Sequence, residues 1–206
     1  MITVIKSQFV QHKLTILRNK KTSNTVFRQT MNETSYLIAA EVLKHLPYKK
    51  TKVETPLKST SGTILAKQII LVPILRAGLG LLEGFAKFLP DAEKGHIGLY
   101  RDEQTYEPVE YLFKLPKIRN KKILILDPML ATGNSSIAAI DLIRNKGANI
   151  KDISLISLLA APEGIKNIQK NHKGIHIFTC SIDKKLNKNK FIVPGLGDAG
   201  DRYMGT

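Results

Sequence analysis

The sequence predicts an α/β fold, an open parallel sheet with helices on both faces, and three observations point to it. Ile123–Leu126 is a continuous apolar run, and Ile69–Leu75 and Ile153–Leu159 are predominantly apolar, each of the length expected for a strand buried on both sides. Each is followed by a turn of small residues and then by apolar residues at helical spacing. At 206 residues and 43% hydrophobic content, the chain suits one domain, residues 1–206, with no internal repeat or low-complexity linker. Strands alternating with helices imply right-handed crossovers and a doubly wound sheet.

Taken in order, the first twenty residues mix Val4, Ile5, Phe9 and Val10 with polar side chains, reading equally as a sheet edge or an oligomer contact. A helix is expected from the cap-forming Ser23 or Asn24 to about Leu46, where Pro47 stops it. Tyr36, Ala39, Ala40, Leu43 and Leu46 supply its apolar spacing. Arg28 reads as a surface charge. Residues 48–63 are polar, with Pro56 and Gly62, and suit short strands or a hairpin.

Within the Ile69–Leu75 run, Pro73 predicts a bulge or irregular end. Arg76-Ala-Gly-Leu-Gly80 follows, then a helix through Phe88 to Pro90. Gly95–Tyr100 and Val109–Phe113 read as strands around a polar loop, by itself a solvated hairpin tip or else a flap that could carry Arg101 over a ligand. A helix ending near Gly147 follows the central run. Pro162, suited to a first helical position, opens the next helix, and Gly174–Thr179 is a further strand. The tail from Phe191 to Thr206 packs four glycines, two acids, an arginine and a tyrosine into what reads as an irregular segment.

The central run ends in Asp127, which puts a carboxylate at the strand's C-terminal end, where open α/β sheets bind ligands. Pro128 stops the strand, and Thr132, Gly133, Asn134, Ser135 and Ser136 lead into the helix. Free first-turn N–H groups and the helix dipole favour an anion there. Hydroxyls of Thr132, Ser135 and Ser136 could add hydrogen bonds to phosphate oxygens. The same residues also make an ordinary strand-to-helix turn, with Asn134 or Ser135 as cap. Between Asp127 and Ser136 neither Gly-Lys-Ser/Thr nor Gly-x-Gly-x-x-Gly occurs, so a Walker loop and a dinucleotide fingerprint are set aside for this turn. An acid and a phosphate cradle within one turn suit a sugar phosphate. Arg76 with Gly78 and Gly80 reads from the residues alone first as a surface charge beside a glycine turn and second as a further anion site.

Composition narrows the classes further. One cysteine, Cys180, excludes an internal disulfide, and the N-terminus lacks a signal-peptide pattern, so a cytoplasmic protein is expected. The longest apolar stretch, Ile69 to Leu82, is broken by Pro73, Arg76 and glycines, and no membrane span is expected. The net charge of +15 is spread over scattered lysines with no tryptophan, which argues against nucleic acid as the main partner and suits steering of a polyanionic small substrate. His172 and His176 have no partner at metal spacing and read as structural.

Leu124-Ile-Leu-Asp-Pro-Met-Leu-Ala-Thr-Gly133 resembles the phosphoribosyl-diphosphate (PRPP) loop of type I phosphoribosyltransferases, in the uracil version where a proline follows the acid. Asn134 departs from it, since that version usually has a second glycine there. Val72-Pro-Ile-Leu-Arg-Ala-Gly-Leu-Gly80 is similar to the diphosphate-side loop, Tyr100-Arg-Asp-Glu-Gln-Thr105 to the flap, and the tail to the base-binding end. The resemblance covers nearly the whole chain from Lys13. It implies the type I phosphoribosyltransferase sheet, with a small hood or flap formed by the N- and C-terminal segments and a hairpin. It further implies transfer of phosphoribosyl from PRPP to N1 of uracil, with Mg²⁺ held mainly by the diphosphate.

By the same resemblance, PRPP would meet Arg76, Arg101, Asp127, Pro128, Met129, Leu130, Ala131, Thr132, Gly133, Asn134, Ser135 and Asp198. Uracil would meet Ile192, Gly197, Asp198 and Ala199. Catalysis would fall to Asp127, Arg101 and Asp198, the last as a candidate base. GTP is the candidate effector, and a homodimer or larger homo-oligomer the expected assembly. Two alternatives stand beside this reading: the same reaction on xanthine or hypoxanthine, and a nucleotide-sensing regulator that binds RNA.

Overall fold

A computed structural model describes residues 1–101 and 108–206, with Arg101 described through its backbone alone. The chain opens with β1 (Ile2–Val4) and α1 (Gln8–Arg18), then α2 (Asn24–Leu43), whose N-cap Ser23 accepts from the Val26 N–H. Helix α2 stops three residues short of Leu46. Its buried stripe is Phe27, Thr30, Met31, Thr34, Ser35, Ile38, Ala39 and Val42, while Tyr36, Ala40 and Leu43 are only half-buried. The stripe takes in three polar residues, Thr30, Thr34 and Ser35, and the hydroxyls of the last two are satisfied within the helix. Thr34 Oγ1 donates to the Thr30 carbonyl (2.6 Å) and Ser35 Oγ to the Asn32 carbonyl (2.6 Å). Arg28 is exposed.

The hairpin of β2 (Tyr48–Glu54) and β3 (Ser59–Leu65) pairs antiparallel, apart from the main sheet. Then come β4 (Ile69–Leu75), α3 (Leu79–Phe88), β5 (Glu93–Lys94), β6 (His96–Arg101), β7 (Pro108–Lys114), β8 (Lys122–Leu126), β9 (Met129–Leu130) and α4 (Asn134–Asn145). The chain continues with β10 (Ile153–Ile156), β11 (Leu159–Ala160), α5 (Pro162–Asn171), β12 (His176–Thr179), β13 (Ser181–Ile182), β14 (Lys185–Leu186), β15 (Ile192–Val193) and α6 (Ala199–Met204). The tail is therefore not wholly irregular: it ends in a short helix capped by Asp198, whose side chain accepts from the Asp201 N–H.

In the main sheet the order is β1-β12-β10-β8-β4-β6-β7, with β5 also against β4, and every pairing is parallel except β6 with β7. The N-terminus is thus a sheet edge at β1. Pro73 makes no bulge. It pairs in register with Leu126 as the last residue on β8, and Ile74 is the first paired with β6, so the missing donor falls at the change of partner.

The expected strand Ile153–Leu159 is two strands. After Ile156, the Ser157 N–H donates to the Phe178 carbonyl, and the N–H groups of Leu158 and Leu159 share the Pro128 carbonyl. β9, β11 and β13 then form a second parallel sheet, order β13-β11-β9, beyond the ends of β8, β10 and β12. All three strands break at the same level and carry the chain into the loops above the main sheet.

Alternate residues of the central strands face opposite cores. Leu71, Leu124 and Leu126 pack with Phe27, Met31, Leu81 and Phe85 of α2 and α3, whereas Ile70, Val72, Ile123 and Ile125 pack with Ile140, Ile143 and Ile168 of α4 and α5. On the first face α3 lies unusually close to α2: a Cβ at Gly84 would sit 2.3 Å from the Ser35 carbonyl carbon and hydroxyl. The Gly84 N–H donates to Ser35 Oγ (2.9 Å). Gly84→Ala is therefore expected to destabilise the fold by about 1–3 kcal/mol, measurable by urea unfolding at unchanged m-value.

Candidate functional site

Two neighbouring strands send the chain in opposite directions. From β4 it leaves through α3 toward β6, and from β8 it leaves through α4, on the other face, toward β10. The crevice outside the carboxyl ends at such a switch point is where α/β sheets take ligands. A cavity of about 590 Å³ lies there, walled by four segments.

The first wall follows β8. Asp127, Met129, Ala131, Thr132, Gly133, Ser135 and Ser136 line the cavity. Ser136 Oγ donates to Asp127 Oδ2 (2.9 Å) and is itself buried, so this hydroxyl steadies the acid instead of awaiting a phosphate. Burial pushes the Asp127 carboxyl up to about 6, against the hydrogen bonds from Ser136 and the Met129 N–H, which act to lower it. The helix begins one residue earlier than expected: its N-cap is Gly133, at φ 85°, with no side-chain cap. Positive φ is thus needed at Gly133 and not at Asn134, which is already helical. Pro128 and Leu130 are buried behind the wall, where their carbonyls accept from Leu158, Leu159 and Ala161.

The second wall, Leu75, Arg76 and Ala77, follows β4, with a cis peptide bond between Leu75 and Arg76. Glycine at 78 allows this turn to settle on the neighbouring strand, since a Cβ there would lie 2.4 Å from the Leu126 carbonyl oxygen. The third wall is Leu99 and Tyr100 of β6 with Tyr111 of β7. The flap tip, residues 102–107, and the Arg101 side chain lie outside the described residues.

The fourth wall is the tail, through Asp198, Gly200 and Asp201. Asp201 Oδ1 meets Arg76 Nη2 at 3.1 Å, joining the tail to the β4 turn across the cavity. Of the other tail residues singled out from sequence, Ile192 and Ala199 are buried in the core, and Gly197 is exposed at φ 82° beside Asp198. These three are not in the cavity wall.

Behind the tail, two arginines hold it to α1. Arg18 makes a two-pronged pair with Asp183 (Nη1–Oδ2 2.7 Å, Nη2–Oδ1 2.6 Å) and donates to the Gly195 carbonyl (2.8 Å), while the Gly195 N–H donates to Asp183 Oδ2 (2.8 Å). Arg202 donates to the carbonyls of Leu17, Leu196 and Asn19 and stacks over Phe27. So the N-terminal segment divides, β1 extending the sheet and α1 bracing the tail.

Sequence reasoning missed Asp201, Gly200, Ala77, Leu99 and Tyr111 as wall residues, and the bracing pair Arg18 and Asp183. An acid three residues after Asp198 was a legible helical signal for Asp201. Ala77 and Gly200 adjoin residues already singled out, whereas nothing local marks Leu99, Tyr111 or the pairing of Arg18 with Asp183 across 165 positions. Among the described residues no group of three or more His, Cys, Asp or Glu side chains is placed to hold a metal ion, and no helix is long and apolar enough to cross a membrane.

With this geometry in hand, comparison with known proteins is informative. The family described as Uracil phosphoribosyltransferase matches residues 4–206. Among relatives, the uracil phosphoribosyltransferase of Lactococcus lactis subsp. lactis is 49% identical over 205 residues, 98% of this chain and 97% of the relative. That of Clostridioides difficile is 49% identical over 199 residues, 96% and 94% of the two chains. A solved structure of an Aquifex aeolicus protein superposes with TM-score 0.92 at 36% identity, over 98% and 97% of the chains. A hypoxanthine-guanine phosphoribosyltransferase from Bacillus anthracis shares the fold alone, at TM-score 0.51 and 10% identity over 77% and 80%.

Proposed function

The chain belongs to the uracil phosphoribosyltransferase family, and from that premise we propose that it transfers the 5-phosphoribosyl group of PRPP to N1 of uracil, yielding UMP and diphosphate in pyrimidine salvage. One observation carries the assignment to this site: the acid Asp127, the helix-opening loop Ala131–Ser135, Arg76 and the C-terminal tail converge on one cavity.

The roles follow from the chemistry of each wall. The N–H groups and hydroxyls of Ala131, Thr132, Gly133, Asn134 and Ser135 receive the 5′-phosphate. Asp127, ionised, accepts hydrogen bonds from the ribose hydroxyls. Arg76 and Arg101 bind the diphosphate, and for Arg76 this means leaving Asp201. As the C1–O bond breaks and the N1–C1 bond forms, the ribose gains oxocarbenium character and the diphosphate gains charge. Arginines aimed at that charge stabilise the transition state more than the ground state. The N1 proton passes to solvent or to Asp198, whose Oδ1 already accepts the Asp201 N–H. Uracil lies against the tail near Gly197, Asp198 and Ala199, with Ile192 behind it, where peptide groups can match the pyrimidine edge.

A Mg²⁺ held mainly by the diphosphate and water suits this cavity, where Asp127 already accepts from Ser136 and Asp201 already pairs with Arg76. When bound, this ion neutralises the leaving group. Exposed apolar residues on the β2–β3 hairpin, Val53, Leu57 and Ile64, with Phe88 of α3, support assembly as a homodimer or larger homo-oligomer. GTP remains the proposed effector, and the cytoplasm the proposed compartment.

The direct test is incubation with PRPP, Mg²⁺ and each free nucleobase in turn, followed by product chromatography. UMP formed from uracil alone is the expected result. A purine nucleotide product, or salt-dependent RNA binding with no UMP, would overturn the reading. The same assay has an expected pH dependence. Since the folded-state value of Asp127 is about 6, kcat/KM for PRPP should fall as pH drops through that range, because the protonated acid loses acceptor capacity for the ribose hydroxyls.

A further inference from the structure

We propose that Asn167, on α5, is the positioning residue of the phosphate loop, acting through Thr132 and through Asn134. The inference rests on the reading that residues 131–135 take the 5′-phosphate. Helix α5 lies directly behind that loop. A Cβ at Gly164 would sit 2.3 Å from the Ala131 carbonyl oxygen, and a Cβ at Gly133 would sit 3.0 Å from the Gly164 carbonyl oxygen, so helix and loop meet backbone to backbone. One turn further along α5, Asn167 Nδ2 donates to the Thr132 carbonyl (2.9 Å) and to Asn134 Oδ1 (3.0 Å).

Only the amino end of an amide can face a peptide carbonyl, so the orientation of Asn167 is set by Thr132, and Asn134 must then present its oxygen. Asn171 completes the direction of the chain, its Nδ2 donating to Asn167 Oδ1 (3.0 Å) and to the Asn167 carbonyl (2.9 Å). A donor ladder therefore runs from Asn171 through Asn167 to the loop. Its action is geometric. Holding the Thr132 carbonyl toward α5 orients the peptide whose N–H belongs to Gly133, and fastening Asn134 secures the first residue of α4. A glycine at position 134 would offer no oxygen to Asn167. The Asn134 side chain thus supplies to this chain a second anchor for the loop, in place of a flexible backbone.

The experiment compares Asn167→Leu, which keeps the side chain's size and removes its donor, with the parent enzyme. The expected result is a KM for PRPP raised about tenfold, with kcat and the KM for uracil within twofold. A residue that merely supports folding would lower the active fraction without separating the two KM values. Should Asn167→Leu fail to fold, Asn134→Gly removes one of the two acceptors and should raise the PRPP KM about threefold. Equal KM values for parent and variants overturn the proposal.

Ribose 5-phosphate binding, measured by calorimetry, separates this failure from failure of the site reading. If Thr132→Ala and Ser135→Ala weaken its binding but Asn167→Leu does not, the brace is wrong and the phosphate site stands. If none of the three affects binding, the phosphate site itself is misplaced.

Discussion

Asp127→Asn is expected to lower kcat/KM for PRPP by roughly 100-fold or more without lowering the melting temperature of the ligand-free protein. The two halves of this outcome come from the same physics. The carboxyl sits in the cavity floor with two donors, but burial outweighs them and lifts its value from 3.8 to about 6. An acid whose folded-state value is raised costs stability above its unfolded value. That cost begins as pH rises past 3.8, is complete above about 6, and is absent in more acid solution. The amide keeps an acceptor for Ser136 and carries no charge to desolvate. Its melting temperature at pH 7.5 should therefore equal or exceed the parent's by a few degrees, with the difference shrinking toward pH 4. Calorimetric melts beside a turnover assay check both halves. A variant that melts well below the parent would make Asp127 a structural residue, and one that keeps normal turnover would remove it from the reaction.

The second large effect concerns the tail. Asp183→Ala should destabilise the protein by about 3–5 kcal/mol, because it leaves the Arg18 guanidinium without its carboxylate and the Gly195 N–H without its acceptor. The Asp183 side chain is 4% exposed and that of Arg18 24%. Burial would raise the Asp183 carboxyl, but hydrogen bonds from Arg18 and the Gly195 N–H outweigh it and hold the group below the ordinary range. A depressed acid contributes stability that is present above its unfolded value, near 3.8, and lost as pH falls through the lower folded value. The parent should consequently lose stability below about pH 4 more steeply than Asp183→Ala does. Denaturant titration of Arg18→Met, Asp183→Ala and the double variant closes a cycle whose expected coupling is about 2 kcal/mol. A coupling near zero would show the pair to be independent contacts. Because Gly195 leads into Gly197–Ala199, surviving variants should also bind uracil more weakly than PRPP, relative to the parent.

Helix α2 shows how a sequence pattern can be right in kind and wrong in phase. Its apolar spacing announced a helix, but Thr30, Thr34 and Ser35 are buried in its stripe, with the Thr34 and Ser35 hydroxyls bonded to carbonyls of their own turns. The run Ile153–Leu159 shows a second limit. All its residues are buried, both serines included, so Ser157 at the break between the two sheets reads no differently from Ser154 inside β10. The site divides in the same manner. Asp127 and Gly133 were legible because a strand end, a proline and a small-residue turn are local signals. Asp201 beside Arg76, Asn167 behind Thr132 and Arg18 on Asp183 join residues 125, 35 and 165 positions apart, and no local pattern carries such a meeting.

The sequence by itself determined the α/β class, the succession of the central strands with their following helices, and the turns after β4 and β8 that face the cavity, since each depends on the periodicity and backbone preferences of adjacent residues. Only the tertiary structure decided which hydroxyl serves Asp127, where the small second sheet begins, and how α1 and α5 hold the tail and the loop after β8. Those outcomes depend on distances between remote segments, and such distances exist only once the two cores have closed around the sheet.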